Sequence, residues 1–519
     1  MHRRRCGILF SVAACLPALL SVSGAASAQT TEFRGFWADV WHTGYKSTAA
    51  INDMVSRAVL GRYNAILVEV MAYHDNASSA HGAYWNSSIV PKAPDISGGI
   101  DPLAYLVQQA HANAIEVHAW MVPYRACLSW PPAGNATLAA HPEWLMTTLA
   151  NMGGGPSAIN GDYTLDAGSP DVQEYIVSIV RELVTNYAID GVHFDRIRYE
   201  QTDAGYPAST SYARSGLNRF KTITPYSGTP ATSYGPWNDF RRRGITELVR
   251  RCRAEIAAIS SNPRQPVRFS AALITWGNAP SVFTGSNAYL LFQNWEEWMR
   301  LGYLDTGIPM TYYSETSYPT WYRNWVDKEM TWRYQRHMVV GPATYLNTFA
   351  NSETQIEYAQ SKGADGIATY SYAETRSGAL YDWTWYPYVA ANVFTIAATP
   401  PVMTWRYPGT AVEGTLWGWV FDGATGLPID NATVQVAGAD PVLTDGNGVF
   451  VITLIPAAAG GTACTVTASR TGYPTVTHTN VLVVAGDVRR DDFVLGGAAS
   501  PPTITQQPQP QTVAPGGTA

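Results

Sequence analysis

The feature that most constrains the fold is a regular alternation of strand-like and helix-like segments between residues 33 and about 393. Short runs rich in β-branched and aromatic residues recur there, and stretches with apolar residues at i, i+3 and i+4 spacing separate them. The predicted strands cover 34–42, 65–71, 115–122, 191–196, 267–274, 306–313, 338–345 and 366–372. Eight strands alternating with helices predict an α/β fold, the (β/α)8 TIM barrel, for residues 29–397.

Helices are predicted between these strands at 48–62, 101–113, 170–184, 237–259 and 352–362. Ser169 is the predicted N-cap of the third helix, with Pro170 in its first turn. The stretches after strands three and four are much longer than ordinary connections. Long loops at one end of a barrel commonly build a substrate cleft.

The first 28 residues have the pattern of a secretory signal peptide. Three arginines at 3–5 precede an apolar run from 8 to 22, and Ala26-Ser27-Ala28 ends at the predicted cleavage site. We therefore expect export in a bacterium, with the protein secreted, periplasmic or at the cell surface. A lipoprotein cleavage box ending at Cys15 is the alternative, but it would leave an apolar run on the mature protein. No later segment reaches the roughly 20 apolar residues that span a bilayer.

Composition narrows the function classes. The formal net charge of -6 argues against a nucleic-acid partner, and the basic run 241–243 is interpreted as a solvated helix face. The 18 Trp and 30 Tyr residues exceed what a core needs, and such rings are used for sugar stacking. After cleavage three scattered cysteines remain, Cys127, Cys252 and Cys464, which form neither a disulfide framework nor a metal site.

The composition changes near residue 398, where helical periodicity gives way to short alternating strands and turn signals. Residues 398–413 are predicted as a linker and 414–496 as a small β-sandwich. The patterns 418–422, 425–429, 431–434, 444–450 and 472–473 resemble the carboxypeptidase regulatory-like domains, which implies a non-catalytic module. Residues 497–519 resemble a linker and the start of an Ig-like domain, as expected of a fragment of a longer chain.

The fourth predicted strand carries the most distinctive charged motif, residues 190–199. Side chains alternate along a strand, so His193 and Asp195 face one way while Val192 and Phe194 face the other. Barrel enzymes have their catalytic residues at the carboxyl ends of the strands, and Asp195 is a carboxylate at such a position. The alternative for Asp195 is an ion pair that supports the barrel.

The barrel resembles the glycosyl-hydrolase-like family 10. The residues that carry the resemblance are Arg34-Gly35-Phe36-Trp37, Asp39, 66–70, Asp75, 117–120, Leu165-Asp166, 190–199, Trp237 with Arg241-Arg242, and 309–312. This resemblance implies a TIM-barrel hydrolase acting on polysaccharide, with some relatives linked to peptidoglycan glycan strands. The chain departs from the family at Glu69, where Gln is usual. It also lacks the strand-seven Glu that family-10 xylanases need.

Glycoside hydrolysis by the common route needs two carboxyl groups roughly 5 to 10 Å apart. We assign Asp195 and Glu69 as the catalytic pair, with Asp39, Asp75 and Glu374 as alternatives for the second group. Asp305 is set aside because it precedes strand six and would lie at the opposite end of the barrel. The predicted substrate-binding residues are Asp39, Asp75, His118, Trp120, Arg125, His193, Arg198, Tyr312 and Tyr370.

Some of these assignments have structural alternatives. A His within an apolar strand, such as His118, is often a satisfied core group, and Trp120, Tyr312 and Tyr370 could equally pack in the core. No zinc motif, P-loop, dinucleotide fingerprint or GxSxG elbow is present, so no metal and no cofactor are expected. The sequence therefore predicts an exported glycoside hydrolase of polysaccharide. A non-catalytic cell-surface carbohydrate-binding or adhesion protein is the alternative, and the oligomeric state stays open.

Overall fold

The computed structural model describes residues 30–407 and 409–497. Eight parallel strands close into a barrel, each pairing with the next and the last with the first. They are β1 Phe33–Ala38, β2 Ala65–Met71, β3 Glu116–Met121, β4 Gly191–Phe194, β5 Arg268–Leu273, β6 Thr306–Thr311, β7 His337–Pro342 and β8 Gly366–Tyr370. The predicted TIM barrel is confirmed, with each strand ending within a few residues of its predicted bounds.

A helix follows each strand and packs on the outside of the barrel. These helices are α1 Thr48–Leu60, α2 Pro102–His111, α3 Pro170–Asn186, α4 Gly235–Ala258, α5 Trp295–Arg300, α6 Pro319–Trp332, α7 Phe349–Ser361 and α8 Trp385–Asn392. Asp101 caps α2 by accepting the N–H of Ala104. Ser169 occupies the predicted N-cap position of α3, but its hydroxyl makes no capping bond.

The long loops after β3 and β4 contain short ladders and helices of their own. Two ladders pair Arg125–Cys127 with Tyr163–Thr164 and Met146–Thr147 with Tyr206–Pro207. The short helices of these loops are Ala136–Ala139 and Gly216–Ile223, and Asn287–Leu290 is a short helix between β5 and α5. These loops thicken one side of the barrel mouth, as their length predicts.

Apolar side chains of the strands divide between two cores because residues alternate along a strand. Inside the barrel, Phe33, Trp37, Leu67 and Trp120 belong to one compact cluster. The outward-facing residues pack with the helices in a second, larger core. The barrel interior is therefore filled with side chains, and a ligand can enter only at its ends.

Asp305 closes the amino-terminal end of the barrel. It is fully buried and accepts the N–H of Phe269 at 3.0 Å and the indole N–H of Trp405 at 2.8 Å. The guanidiniums of Arg406 and Arg253 lie 3.3 and 3.6 Å from its oxygens. Despite burial, these neighbours hold the pKa of Asp305 well below its usual range, Arg253 being the strongest. Asp305 thus serves stability at the end opposite the mouth.

Replacing Asp305 with Asn is expected to lower the free energy of unfolding by about 3–5 kcal/mol, because two buried guanidiniums lose their counter-charge. The folded pKa is depressed, so this stabilisation is present above the unfolded pKa of about 3.9 and is lost as pH falls below it. Urea unfolding at pH 7 and pH 3 measures both effects. Asp239→Asn is the matched control, since that side chain is 70% exposed. An equal loss in both variants would contradict this account.

The C-terminal residues form two four-stranded sheets. The first contains β9 Glu413–Asp422, β12 Val449–Pro456, β15 Val488–Arg490 and β16 Phe493–Leu495. The second contains β10 Thr433–Val436, β11 Val442–Leu443, β13 Thr462–Ser469 and β14 Val476–Val483. Apolar residues from both sheets share one buried cluster. The small all-β unit that the sequence predicts is therefore present.

The β-sheets dock on helix α4, and this docking corrects the interpretation of residues 241–243. Arg241 is 1% exposed and lies 4.7 Å over the ring of Trp237. Arg243 donates to Asn431 at 2.6 Å and to the Thr444 carbonyl at 2.8 Å. The run is therefore not a solvated face, because Arg241 is buried in an aromatic cluster and Arg243 binds the C-terminal unit.

All three cysteines of the described part are free thiols: Cys127 and Cys252 are buried, and Cys464 is half-buried. Among residues 30–407 and 409–497, no helix combines the length and apolar character needed to cross a membrane.

Candidate active site

Carboxyl groups from three strands meet at the mouth of the barrel. Asp39 directly follows β1, Glu69 lies in β2, and Asp195 directly follows β4. Glu69 lies opposite Trp120, which in turn lies opposite His193, so these three share one level of the barrel. Asp195 is two residues further toward the mouth. Burial first, and then the negative charges of Asp39 and Asp195, raise the pKa of Glu69, as expected of carboxyl groups at one end of the barrel.

Glu69 is the group most altered by this environment. It is 3% exposed, and its Oε2 accepts the N–H of Val40 at 3.2 Å. Burial first, and then the negative charge of Asp39, raise the pKa of Glu69 to about 8. Asp195 adds to this effect. Glu69 therefore holds a proton at neutral pH, the state that a general acid requires.

Glu329 shows that a raised pKa alone does not identify the site. Burial also raises the pKa of Glu329 to about 8, and Thr311 donates to its Oε1 at 2.7 Å. Glu329 lies in helix α6, outside the barrel. Location at the mouth beside two other carboxyl groups distinguishes Glu69.

Asp195 is half-buried and forms no ion pair with another described residue. Its Oδ1 accepts the N–H of Arg196 at 2.6 Å, and its own N–H donates to the Met121 carbonyl at 3.0 Å. The Arg196 guanidinium instead binds Glu200 at 3.0 Å. No Lys, Arg or His nitrogen of the described chain approaches an Asp195 oxygen within 4.0 Å. The predicted structural alternative, an ion pair, is therefore not formed.

The other candidate carboxyl groups differ in how far they are engaged. Asp39 Oδ1 accepts the N–H groups of Trp41 and His42 and contacts His42 Nδ1 at 2.9 Å. Asp75 is fully buried and pairs with His81 Nδ1 at 2.5 Å. Asp39 therefore fixes the loop after β1, and Asp75 is engaged by its contact with His81. Glu374, after β8, is half-buried. Burial first, and then nearby negative charges that include Glu374, raise the pKa of Tyr312.

The two predicted histidines lie within the barrel. His193 Nε2 accepts the indole N–H of Trp37 at 3.1 Å, so its Nδ1–H donates to Ser270 Oγ at 2.9 Å. Burial lowers the pKa of His193 well below its usual range, which keeps the ring neutral. His118 lies one level below Trp120 and contacts Glu116 at 3.0 Å. His193 thus has both ring nitrogens engaged by protein and positions Trp37.

Arginines line the β3–β4 side of the mouth. Arg125 donates to Asp162 at 2.8 Å and stacks over the ring of Tyr73 at 4.5 Å. Arg198 lies 5.1 Å over the ring of Trp276. Burial, followed by the charge of Arg196, lowers the pKa of Arg198 to about 10. This side of the mouth therefore combines Asp195 with positive charge.

Tyrosines line the β6–β8 side. Tyr312 lies 5.5 Å from Tyr370 and 5.9 Å from Tyr345, centroid to centroid. All three are half-buried, and Trp37 lies 6.0 Å from Tyr370 beneath them. Half-buried aromatic faces beside carboxyl groups suit the apolar faces of sugar rings. We name Tyr312, Tyr345 and Tyr370 the tyrosine wall.

The structure adds residues that the sequence analysis did not name as site residues. Tyr345 completes the tyrosine wall, and its place just after β7 was the available signal. Trp276 follows β5 and underlies Arg198. Trp120, a predicted binding residue, is 4% exposed, and its indole N–H is buried without a partner in the described part of the chain.

Clusters of three or more His, Cys, Asp or Glu side chains arranged to hold a metal ion are absent from the described ranges.

Comparisons with known proteins place this geometry in context. The family model "Glycosyl hydrolase-like 10" matches residues 32–345, and "Carboxypeptidase regulatory-like domain" matches residues 415–496. "Glycosyl hydrolase DigH" of Escherichia coli strain CFT073 is 29% identical over 256 residues, 44% of this chain and 52% of the relative. "Glycosyl hydrolase YngK" of Bacillus subtilis strain 168 is 25% identical over 309 residues, 54% of this chain and 52% of the relative.

The chain thus spans about half the length of the curated relatives it matches. Among solved structures, the endo-beta-1,4-mannanase from Thermotoga petrophila aligns with a TM-score of 0.44 at 12% identity. That alignment covers 90% of this chain and 99% of the mannanase, and at this score it supports no functional argument.

Proposed function

The chain belongs to the glycosyl hydrolase-like 10 family, and from that premise we propose that it hydrolyses glycosidic bonds in a polysaccharide. The observation that carries the proposal is that Glu69 and Asp195 lie at the same end of the barrel. Glu69 has a pKa raised to about 8 by burial, and Asp195 stands beside it without an ion pair. One carboxyl group that holds a proton and another that is free of ion pairs are what acid-assisted glycoside cleavage requires.

In this mechanism Glu69 donates its proton to the glycosidic oxygen as the bond to the anomeric carbon breaks. Asp195 faces the positive charge that develops at that carbon. It acts as the nucleophile in the retaining route or as the base toward water in the inverting route. The anomer of the first product, observed by NMR, distinguishes these routes.

The tyrosine wall supplies the opposing surface. A sugar that stacks on these rings presents its glycosidic bond toward the β2–β4 side, where Glu69 and Asp195 lie. His193 contributes indirectly, because its bond to Trp37 fixes the indole on which the wall rests. Stacking binds the apolar face of a sugar ring without recognising its individual hydroxyl groups. The wall can therefore accept more than one kind of sugar unit of a polysaccharide.

We also propose that the protein is exported. The signal-peptide pattern of residues 1–28 supports this, although those residues lie outside the described part of the chain. The predicted Ig-like start at 497–519 lies outside it as well, apart from Gly497. Cell fractionation followed by N-terminal sequencing tests export. A protein found outside the cytoplasm that begins at Gln29 supports it, and a protein that stays in the cytoplasm and retains Met1 overturns it.

The test of the catalytic proposal is release of new reducing ends from a panel of glycans, including peptide-free peptidoglycan strands. The mature chain should release them from at least one glycan. A Glu69→Gln/Asp195→Asn double variant, prepared identically, excludes a contaminating enzyme if its release is undetectable. Glycan binding without release on the whole panel would favour the alternative, a non-catalytic carbohydrate-binding or adhesion protein.

A further inference from the structure

One tryptophan at the mouth of the barrel has half of its surface exposed. Trp41 lies three residues after the end of β1 and is 51% exposed. Apart from Trp321, at 36%, every other tryptophan in residues 30–407 and 409–497 is buried or half-buried. A single exposed apolar residue is ordinary on a protein surface. The meaning of Trp41 therefore depends on what supports it and on what lies beside it.

The loop after β2 supports the indole on one side. The ring of Trp41 lies 6.2 Å from that of Tyr73 and 6.4 Å from that of His81, nearly perpendicular to both. Those two rings stack on each other at 4.1 Å, so their edges face Trp41. Tyr73 donates to Asp162 at 2.8 Å, and His81 pairs with Asp75, which fixes both rings. Trp41 thus has a fixed support on one side and is exposed on the other.

The backbone places Trp41 beside the proposed general acid. The N–H of Trp41 donates to Asp39 Oδ1 at 2.9 Å. The N–H of the preceding residue, Val40, donates to Glu69 Oε2 at 3.2 Å. Consecutive Cα atoms lie about 3.8 Å apart, so the residue that carries the indole directly follows the one that contacts the acid. Trp41 therefore flanks Glu69 on the β1–β2 side of the mouth.

A general acid gives its proton to the oxygen of the leaving group, so the leaving sugar lies beside that acid. The tyrosine wall, on the β6–β8 side, supplies a surface for the sugar on the other side of the bond. Flat aromatic rings bind the apolar faces of sugars, and an indole that is already fixed loses little freedom in doing so. We propose that Trp41 forms the subsite for the sugar unit on the leaving-group side of the cleaved bond.

The inference rests on the proposed function and adds that the substrate continues past the cleaved bond with a further sugar unit. A sugar ring fits this surface better than a protein partner does. Trp41 is followed by the polar residues His42 and Thr43. One indole is also far smaller than the roughly 800 Å² that each partner buries in a stable protein interface.

The test compares two substrates that share the same sugar on the non-leaving side. One is the glycan that the mature chain cleaves, and the other is a glycosyl fluoride made from the oligosaccharide it releases. Fluoride leaves without occupying a sugar subsite. Trp41→Ala should lower kcat/KM on the glycan about 10- to 100-fold, as expected when roughly 50–100 Å² of aromatic contact is lost. Its kcat/KM on the fluoride should be almost unchanged, and Trp41→Phe should retain part of the activity on the glycan.

Tyr407→Ala is the matched control, because Tyr407 is an aromatic residue with 42% exposure far from the mouth. It lies two residues after Trp405, which contacts Asp305 at the opposite end of the barrel. This variant should keep wild-type rates on both substrates. An unchanged kcat/KM of Trp41→Ala on the glycan, or an equal loss on glycan and fluoride, overturns the inference while the glycosidase proposal stands.

If the wild type cleaves no glycan, calorimetry with oligosaccharides from the same panel still tests the subsite. Weaker binding by Trp41→Ala than by the wild type and Tyr407→Ala supports a sugar site at Trp41 even though the catalytic proposal has failed. Equal binding by all three proteins, or binding by none of them, overturns it.

Discussion

An Asp195→Asn variant is expected to lose about 10⁴-fold in kcat on the cleaved glycan, a loss typical of neutralising a catalytic carboxylate. Asn has the same shape and can still accept the N–H of Arg196, so the loop after β4 should keep its conformation. What disappears is the charge that faces the anomeric carbon. Initial rates of reducing-end release measure the loss, and calorimetry measures binding, which should change less than tenfold.

Asp239→Asn is the control for Asp195→Asn, because Asp239 is exposed on α4 and pairs with its helix neighbour Arg242. It should retain wild-type rates. If Asp195→Asn also retained rates within tenfold of wild type, Asp195 would have no catalytic role. Glu374→Gln would then be the next variant, since Glu374 is the remaining half-buried carboxyl group near the tyrosine wall.

A Glu69→Gln variant is expected to lose about 10²–10⁴-fold in kcat/KM on natural glycans, the usual contribution of a general acid. Gln keeps the size of Glu69 and can still accept the Val40 N–H, so the barrel should remain folded. Aryl glycosides with acidic phenol leaving groups need no proton from the enzyme. Cleavage of these substrates should fall less than tenfold, which assigns the loss to proton donation.

The comparison of the two substrate types provides the internal control for Glu69→Gln. An equal loss on natural glycans and aryl glycosides would show that Glu69 serves structure or binding. Asp195→Asn should lose activity on both types, because its role does not depend on the leaving group.

Much of the barrel could be predicted because its determinants are local. Each strand is a short run of β-favouring residues, and each helix repeats apolar residues with helical spacing. The position of Asp195 followed from the same logic, since the end of β4 fixes where its side chain emerges. The same logic predicts that Glu69 and Asp195 share one site at the carboxyl ends of the strands, and their catalytic roles stay a prediction.

The remaining features depend on contacts between residues far apart in the sequence. The pKa of Glu69 is raised by burial and by Asp39 and Asp195, so this effect depends on residues from three different strands. The bond between Trp37 and His193 joins β1 to β4 across the barrel. The pattern of residues within one strand does not indicate which side chains of other strands lie beside it.

The same reason explains the error at residues 241–243. A run of three arginines on a helix is usually solvated. Here Arg241 enters an aromatic cluster with Trp237, and Arg243 binds the C-terminal unit through Asn431. Asp39 likewise holds the loop after β1 through His42, a use that its place at a strand end did not reveal.

The most direct test of the central claim is the pH dependence of kcat/KM for the wild type and Glu69→Gln, because this profile reports the pKa of the free enzyme. Glu69 acts when protonated, so wild-type kcat/KM should hold up to about pH 8, the pKa of Glu69, and fall above it. Glu69→Gln should lack this decline. A decline near pH 8 that persists in Glu69→Gln, or a wild-type decline already near the ordinary glutamate pKa of about 4.3, would contradict the account.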